Sequence, residues 1–103
     1  MKRAIFIGVL LSGAAVSPAM AHAPILDCYV DGDEIACEAG YSDGASAADQ
    51  VLRVRDEAHR LLFEARFDAS GSYRFAPPDA DEYHVQFEGD QFHSVILYST
   101  DIE

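Results

Sequence analysis

The residues of this chain best suited to chemistry are three histidines, His22, His84 and His93, and what they suit is holding a metal ion. If a signal peptidase cuts after Ala21, His22 becomes the amino terminus. Its α-amine and imidazole Nδ1 then form a two-point chelate, and both groups titrate close enough to neutrality for a metal to displace their protons. Such nitrogens suit Cu(II), Ni(II) or Co(II) better than Ca(II). A square-planar site built from the amine, two backbone amides and a third-position histidine is excluded, because position three is Pro24. Further ligands must therefore come from elsewhere in the fold.

The stretch Glu88-Gly89-Asp90-Gln91 offers them. Read as a type II′ turn with Gly89 at its first central position, it sets a register in which paired residue numbers sum to 179. Gln86 then faces His93 and Val95 faces His84, so the two histidines share a wet face, diagonally placed, while Tyr83, Val85 and Phe87 take the core face. The expected metal set is His22, His84 and His93, and the plainer alternative is a pair of solvated imidazoles. His59, in Glu57-Ala58-His59-Arg60, reads as a hairpin-tip residue outside the set.

Other constellations carry less. Asp31-Gly32-Asp33 is not an EF-hand, since Ile35 stands where a third oxygen ligand is needed. Asp79, Asp81 and Glu82 would need Asp43 or Asp68 beside them to hold calcium, and turn chemistry explains each of these acids without a metal. No Gly-x-Ser-x-Gly elbow, phosphate loop, Cys-x-x-Cys pair or His-Glu-x-x-His occurs, so the expectation is no enzyme. A copper monooxygenase brace would use the same terminal histidine, but the domain is small for one. Carbohydrate binding wants exposed planar aromatics, yet tryptophan is absent.

The elements that position these residues begin after a leader. Lys2 and Arg3, an apolar run from Ala4 to Val16 and the small-x-small pattern Ala19-Met20-Ala21 form the three parts of a secretory signal peptide. Cutting at Ala21-His22-Ala23 instead would leave the rigid Pro24 first, so the cut after Ala21 is preferred. The domains expected are a signal peptide over residues 1–21 and a single β-sandwich over residues 22–103, periplasmic or secreted. No later stretch is apolar enough to enter a membrane. Losing Lys2 and Arg3 leaves five arginines against eighteen acids, net −13. That charge repels nucleic acid and anionic lipid and admits cations or a basic protein patch.

Beyond the leader, apolar and polar residues alternate in period 2 with turn residues between, which predicts strands. The runs are 25–30, 35–41, 50–56, 61–68, 72–75, 83–88 and 92–99, an all-β, seven-stranded, Ig-like or transthyretin-like β-sandwich. The turn Asp31-Gly32-Asp33-Glu34 places Gly at the first central position of a II′ hairpin. Residues summing to 65 then face each other, so Cys28 lies opposite Cys37 in a non-hydrogen-bonded pair, close enough for a disulfide. Leu26, Cys28 and Val30 share the core face with Ile35, Cys37 and Ala39. The rival reading, a thiolate metal or redox pair, lacks the required spacing.

From Gly40 onward the residues Gly40-Tyr41-Ser42-Asp43-Gly44, Val51 to Asp56, Leu61-Leu62, Asp68 to Pro77, Tyr83 to Phe87 and His93 resemble the small sandwich domains related to transthyretin and to the regulatory domain of carboxypeptidases. Among these the chain is most similar to exported accessory components of nickel and cobalt uptake transporters of the energy-coupling-factor type. Those also tend to begin with a histidine soon after the signal and to carry a YxSDG-like stretch. The resemblance implies periplasmic handling of divalent Ni, Co or Cu beside a membrane transporter component. Those relatives often end in a membrane helix whereas this sequence reads to Asp101-Ile102-Glu103, so the expectation is a free binding domain or a relative with another task. The alternative from another class is a metal-free interaction module that docks a partner protein through a strand edge or the acidic face.

Overall fold

The computed structural model describes residues 22–90 and 93–103; the expected signal peptide over residues 1–21 lies outside them, as do Gln91 and Phe92. Each of the seven alternating runs becomes a strand: β1 (Pro24–Asp31), β2 (Glu34–Tyr41), β3 (Val51–Asp56), β4 (Leu61–Arg66), β5 (Ser72–Phe75), β6 (Tyr83–Asp90) and β7 (His93–Tyr98). They form two antiparallel sheets, one ordered β1-β2-β5 and the other β4-β3-β6-β7. The chain folds as an all-β sandwich. A 3₁₀ turn follows at Ser99–Asp101, and no helix among the described residues is long and apolar enough to cross a membrane.

Alternation decides what lies between the sheets. Cys28, Ile35, Cys37 and Phe75 of the first sheet meet Leu52, Val54, Val85 and Phe87 of the second in one buried cluster. Aromatic rings bridge the layers: Phe63 meets Phe75 edge-on at 5.3 Å, and both Tyr41 and Phe67 meet Phe87, at 5.6 and 5.4 Å. Each large apolar side chain removed from water here contributes about 1.5 to 3 kcal/mol, and a domain this small needs them all.

The first hairpin follows the predicted register from Pro24↔Tyr41 to Asp31↔Glu34. Gly32 takes φ +66° while Asp33 stays out of the left-handed region, as a II′ turn wants. Cys28 and Cys37 face each other with Cα atoms 4.1 Å apart and are bonded. Val30 is half exposed rather than buried, although its partner Ile35 is buried, because it sits on the edge strand β1.

The second hairpin corrects the prediction. Val85 pairs with Leu97 and Phe87 with Val95, so the numbers sum to 182 instead of 179. Gly89 has φ +63°, but it serves as an irregularity inside a longer β6, and the strand continues to Asp90. A left-handed glycine serves a bulge as readily as a turn. Core formation decides between them: a shift of three residues exchanges the faces of β7, and only the even sum sets Val95 and Leu97 against Phe87 and Val85. A Cβ on Gly89 would collide with the His93 carbonyl oxygen, and it would sit 3.2 Å from the Pro24 ring.

The β3–β4 pairing carries an irregularity of its own. Arg55 pairs with Leu61 and Val54 with Phe63, which leaves Leu62 as an extra residue, and both leucines are exposed. Phe67 is buried in the core, and Phe63 and Ala65 pack against it.

Two stability changes follow. Replacing both cysteines by alanine should lower unfolding free energy in urea by about 2 to 3 kcal/mol, the chain-entropy cost of releasing so short a loop. Phe87→Ala, at a site with no exposed surface, should cost about 3 to 5 kcal/mol by the same measurement.

Candidate metal-binding site

The loop after β2 brings His22 into place. The backbone N–H of Ser42 donates to the Ala23 carbonyl at 2.8 Å, and the Ala23 N–H donates to Ser42 Oγ at 2.9 Å, which fastens the start of the described chain to the Tyr41-Ser42-Asp43 corner. Asp43 closes that corner by accepting the Ala45 N–H at 3.0 Å. The His22 ring then lies flat on Tyr41, with centroids 4.2 Å apart and planes 8° from parallel. Its Nδ1 is 2.8 Å from Asp43 Oδ2. The His22 hydrogen bond, ahead of that from Ala45, holds the Asp43 carboxyl below the usual carboxylate range.

The same end of the sandwich receives the end of β6. Pro24 lies against Gly89, and the next residue, Asp90, pairs with His93. His93 Nδ1 sits 2.9 Å from Asp90 Oδ1. Tyr41 feels both carboxylates: burial first, then the charges of Asp90 and Asp43, raise its phenol above the ordinary tyrosine range. The His22–Asp43 pair thus stacks on Tyr41, and the Asp90 carboxylate of the His93–Asp90 pair lies near enough for its charge to act on the same phenol. In each, a carboxylate on Nδ1 favours the tautomer whose Nε2 carries the lone pair, which is how metal-binding imidazoles are usually oriented.

This alters the predicted chelate. Nδ1 of His22 is engaged by Asp43, so an amine–Nδ1 chelate would have to break that hydrogen bond, whereas Nε2 coordination would keep it. Nitrogen donors of this kind fit Ni(II), Co(II) or Cu(II). Among the described residues no group of three His, Cys, Asp or Glu side chains already converges on a point that could hold a metal ion.

His84 does not belong to this end. The corrected register sets it opposite Tyr98, five residues along β7 from His93, roughly 17 Å at 3.4 Å per residue. The expected sharing of one ion by His84 and His93 is overturned by that register. Nor is His84 on a wet surface: it is 6% exposed, with the rings of His59 and Tyr98 each 5.6 Å away. Burial, then the positive charges of His59 and Arg55, push its imidazole pKa down against the pull of Asp56.

The acidic loops are likewise redistributed. Asp79, Asp81 and Glu82 lie with Asp56 and Glu57 around the β3–β4 hairpin tip rather than with Asp43 or Asp68. Asp68 closes its own turn onto Ser70 and Ser72. Each of the five arginines among the described residues is engaged within the chain: Arg53 with Glu64 and Glu88, Arg60 with Asp56, Arg74 with Asp31 and Glu34, Arg66 with the Asp49 carbonyl and Arg55 with the His59 carbonyl. Exposed pairs of this sort add little stability, but they leave the excess of acids to set the surface potential.

No family model matches the chain, and neither curated proteins nor solved structures give a match. The site must be judged on its own residues. Residue type and spacing pick out His22 and His93 but not Asp43, Asp90, Tyr41 and His59 as their neighbours or counterparts. The local signal for Asp90 is its position three before His93.

Acid should weaken the fold through a few carboxylates. The Arg60 backbone N–H, ahead of the Arg60 guanidinium and the Ala58 N–H, holds Asp56 below its ordinary range although burial opposes it. A carboxyl depressed on folding stabilises above its unfolded pKa and loses that stabilisation as pH falls through the folded value. The melting temperature should therefore be level near neutrality and drop below about pH 4. Asp56→Asn should melt lower at pH 7 and show a shallower acid decline in the same thermal scans.

Proposed function

We propose that the exported protein binds a divalent transition-metal ion, Ni(II), Co(II) or Cu(II), at the end of the sandwich bearing His22 and His93, and acts as a periplasmic metal-binding or transport-accessory protein without catalysis. The observation that carries this is the pair of carboxylate-backed imidazoles, His22–Asp43 and His93–Asp90, whose carboxylates both act on the Tyr41 phenol. Asp43 and Asp90 would orient the rings and raise their basicity. Tyr41 supports the His22 ring through stacking, and the acidic surface concentrates cations around it. When His22 is the first residue its α-amine adds a further nitrogen. The transporter partnership rests on the resemblance of the Gly40–Gly44 and Asp68–Pro77 stretches to uptake accessory domains, and the disulfide is compatible with export.

A second reading, an interaction module without metal, is favoured by β1. This edge strand leaves Ile25 and Val30 about half exposed and Tyr29 facing outward, the makings of a docking edge for a partner strand.

Calorimetric titration of residues 22–103 with Ni(II), Co(II) and Cu(II) separates the two. Affinity tighter than millimolar for at least one ion is expected, and weaker binding of all three would sink the metal assignment. Asp43→Asn and Asp90→Asn should each weaken binding by roughly 10- to 100-fold. Placing one residue ahead of His22 should also weaken it if the amine takes part.

A further inference from the structure

The other end of β6 holds a histidine pair that the site above does not use. His84 is the second residue of that strand and Asp90 its last, six residues and roughly 20 Å away. Between β6, β7 and the β3–β4 hairpin lies a cavity of about 310 Å³ lined by Glu57, His59, Glu82, His84, Tyr98 and Ser99, among others. His84 is buried at its wall, yet its imidazole has no hydrogen-bond partner among the described residues. Buried polar groups of native folds are almost always paired, so a buried imidazole facing this cavity points to a water or a ligand held there.

The hairpin is built to present a second imidazole there. Asp56 Oδ1 accepts the N–H groups of Ala58 and Arg60, each at 2.9 Å, while the His59 N–H donates to the Asp56 carbonyl at 2.9 Å. These bonds hold His59 at φ +66°, a left-handed conformation usually given to glycine or asparagine. Accepting that conformation with an imidazole puts its ring 5.6 Å from the ring of His84. Two imidazoles binding one ion through nitrogens at about 2.0 Å have centroids roughly 5 Å apart, so only a small adjustment separates the observed spacing from a shared ion.

We propose that His59 and His84 form a second site for a divalent transition-metal ion, in the cavity under the β3–β4 hairpin. Glu57 and Glu82, which line the same space, favour a cation over an anion or an apolar ligand. Water completes the coordination, since no third side chain of the right type stands within liganding range among the described residues. This extends the metal-binding reading to a second place but stands on other residues, so either can fail alone.

Paramagnetic broadening of the histidine ring protons tests it. Substoichiometric Ni(II) or Cu(II) added to the exported protein should broaden the His59 and His84 signals. His59→Gly, which suits φ +66° and keeps the fold by circular dichroism, should cut the broadening at His84 at least tenfold while leaving His22 and His93 as they were. If His59 and His84 stay sharp at millimolar metal while His22 and His93 broaden, this proposal is overturned and the amino-terminal site stands. Broadening confined to His59 and His84 would support the cavity site and overturn the amino-terminal one. Broadening at His84 that survives His59→Gly would also refute a shared ion.

Discussion

The pairing of Phe87 with Val95 and of Val85 with Leu97 governs the second sheet. These four side chains supply apolar area to the small core, and the share from Val95 and Leu97 is lost if β7 slips by an odd number of residues. Once they are set inside, Ile96 and Tyr98 must face outward, and His84 must stand across from Tyr98. Gly89 then has to absorb the mismatch between the two strands as a bulge, which carries Asp90 to the corner beside Tyr41. The separation of the histidines into two groups, one at each end of β6, is thus a consequence of hydrophobic burial rather than of any preference of the histidines themselves.

The two His–Asp pairs and the His59–His84 pair differ in how they are held. His22 and His93 are partly exposed, each supported by a charged neighbour and, for His22, by a flat aromatic surface. His84 is supported by enclosure and His59 by backbone geometry. The first arrangement leaves nitrogens open to solvent and to exchange; in the second His84 is buried beside Tyr98, while His59 on the hairpin tip stays exposed.

Much of the architecture is readable from the chain because it rests on local rules. Strand alternation identifies all seven strands, and the Gly32 turn with its two cysteines fixes one hairpin residue by residue. The identical chemistry around Gly89 misleads, because a left-handed glycine does not distinguish a turn from a bulge. The contrary sign is present in the residues: the turn reading sets Val95 opposite His84 and so leaves Val95 and Leu97 on the face meant for water. Contacts such as His22 with Asp43, 21 residues apart, depend on how a corner folds back on a strand, and no spacing rule anticipates them. His59 escapes notice because a hairpin-tip histidine is ordinarily solvated. The Asp56 three residues before it, able to cap the turn, is the available hint.

The Cys28–Cys37 bond also limits what the first sheet can do. Edge strands are the segments that copies of a protein most easily trade, each lending its strand to the other's sheet. Here the edge strand β1 is covalently joined to β2, its own neighbour, at the middle of their shared ladder. While the bond is oxidised, β1 cannot leave without taking β2 with it, and β2 is the strand that ties β5 into the sheet. Reciprocal exchange of β1 between copies is therefore closed to the oxidised protein and opens only on reduction.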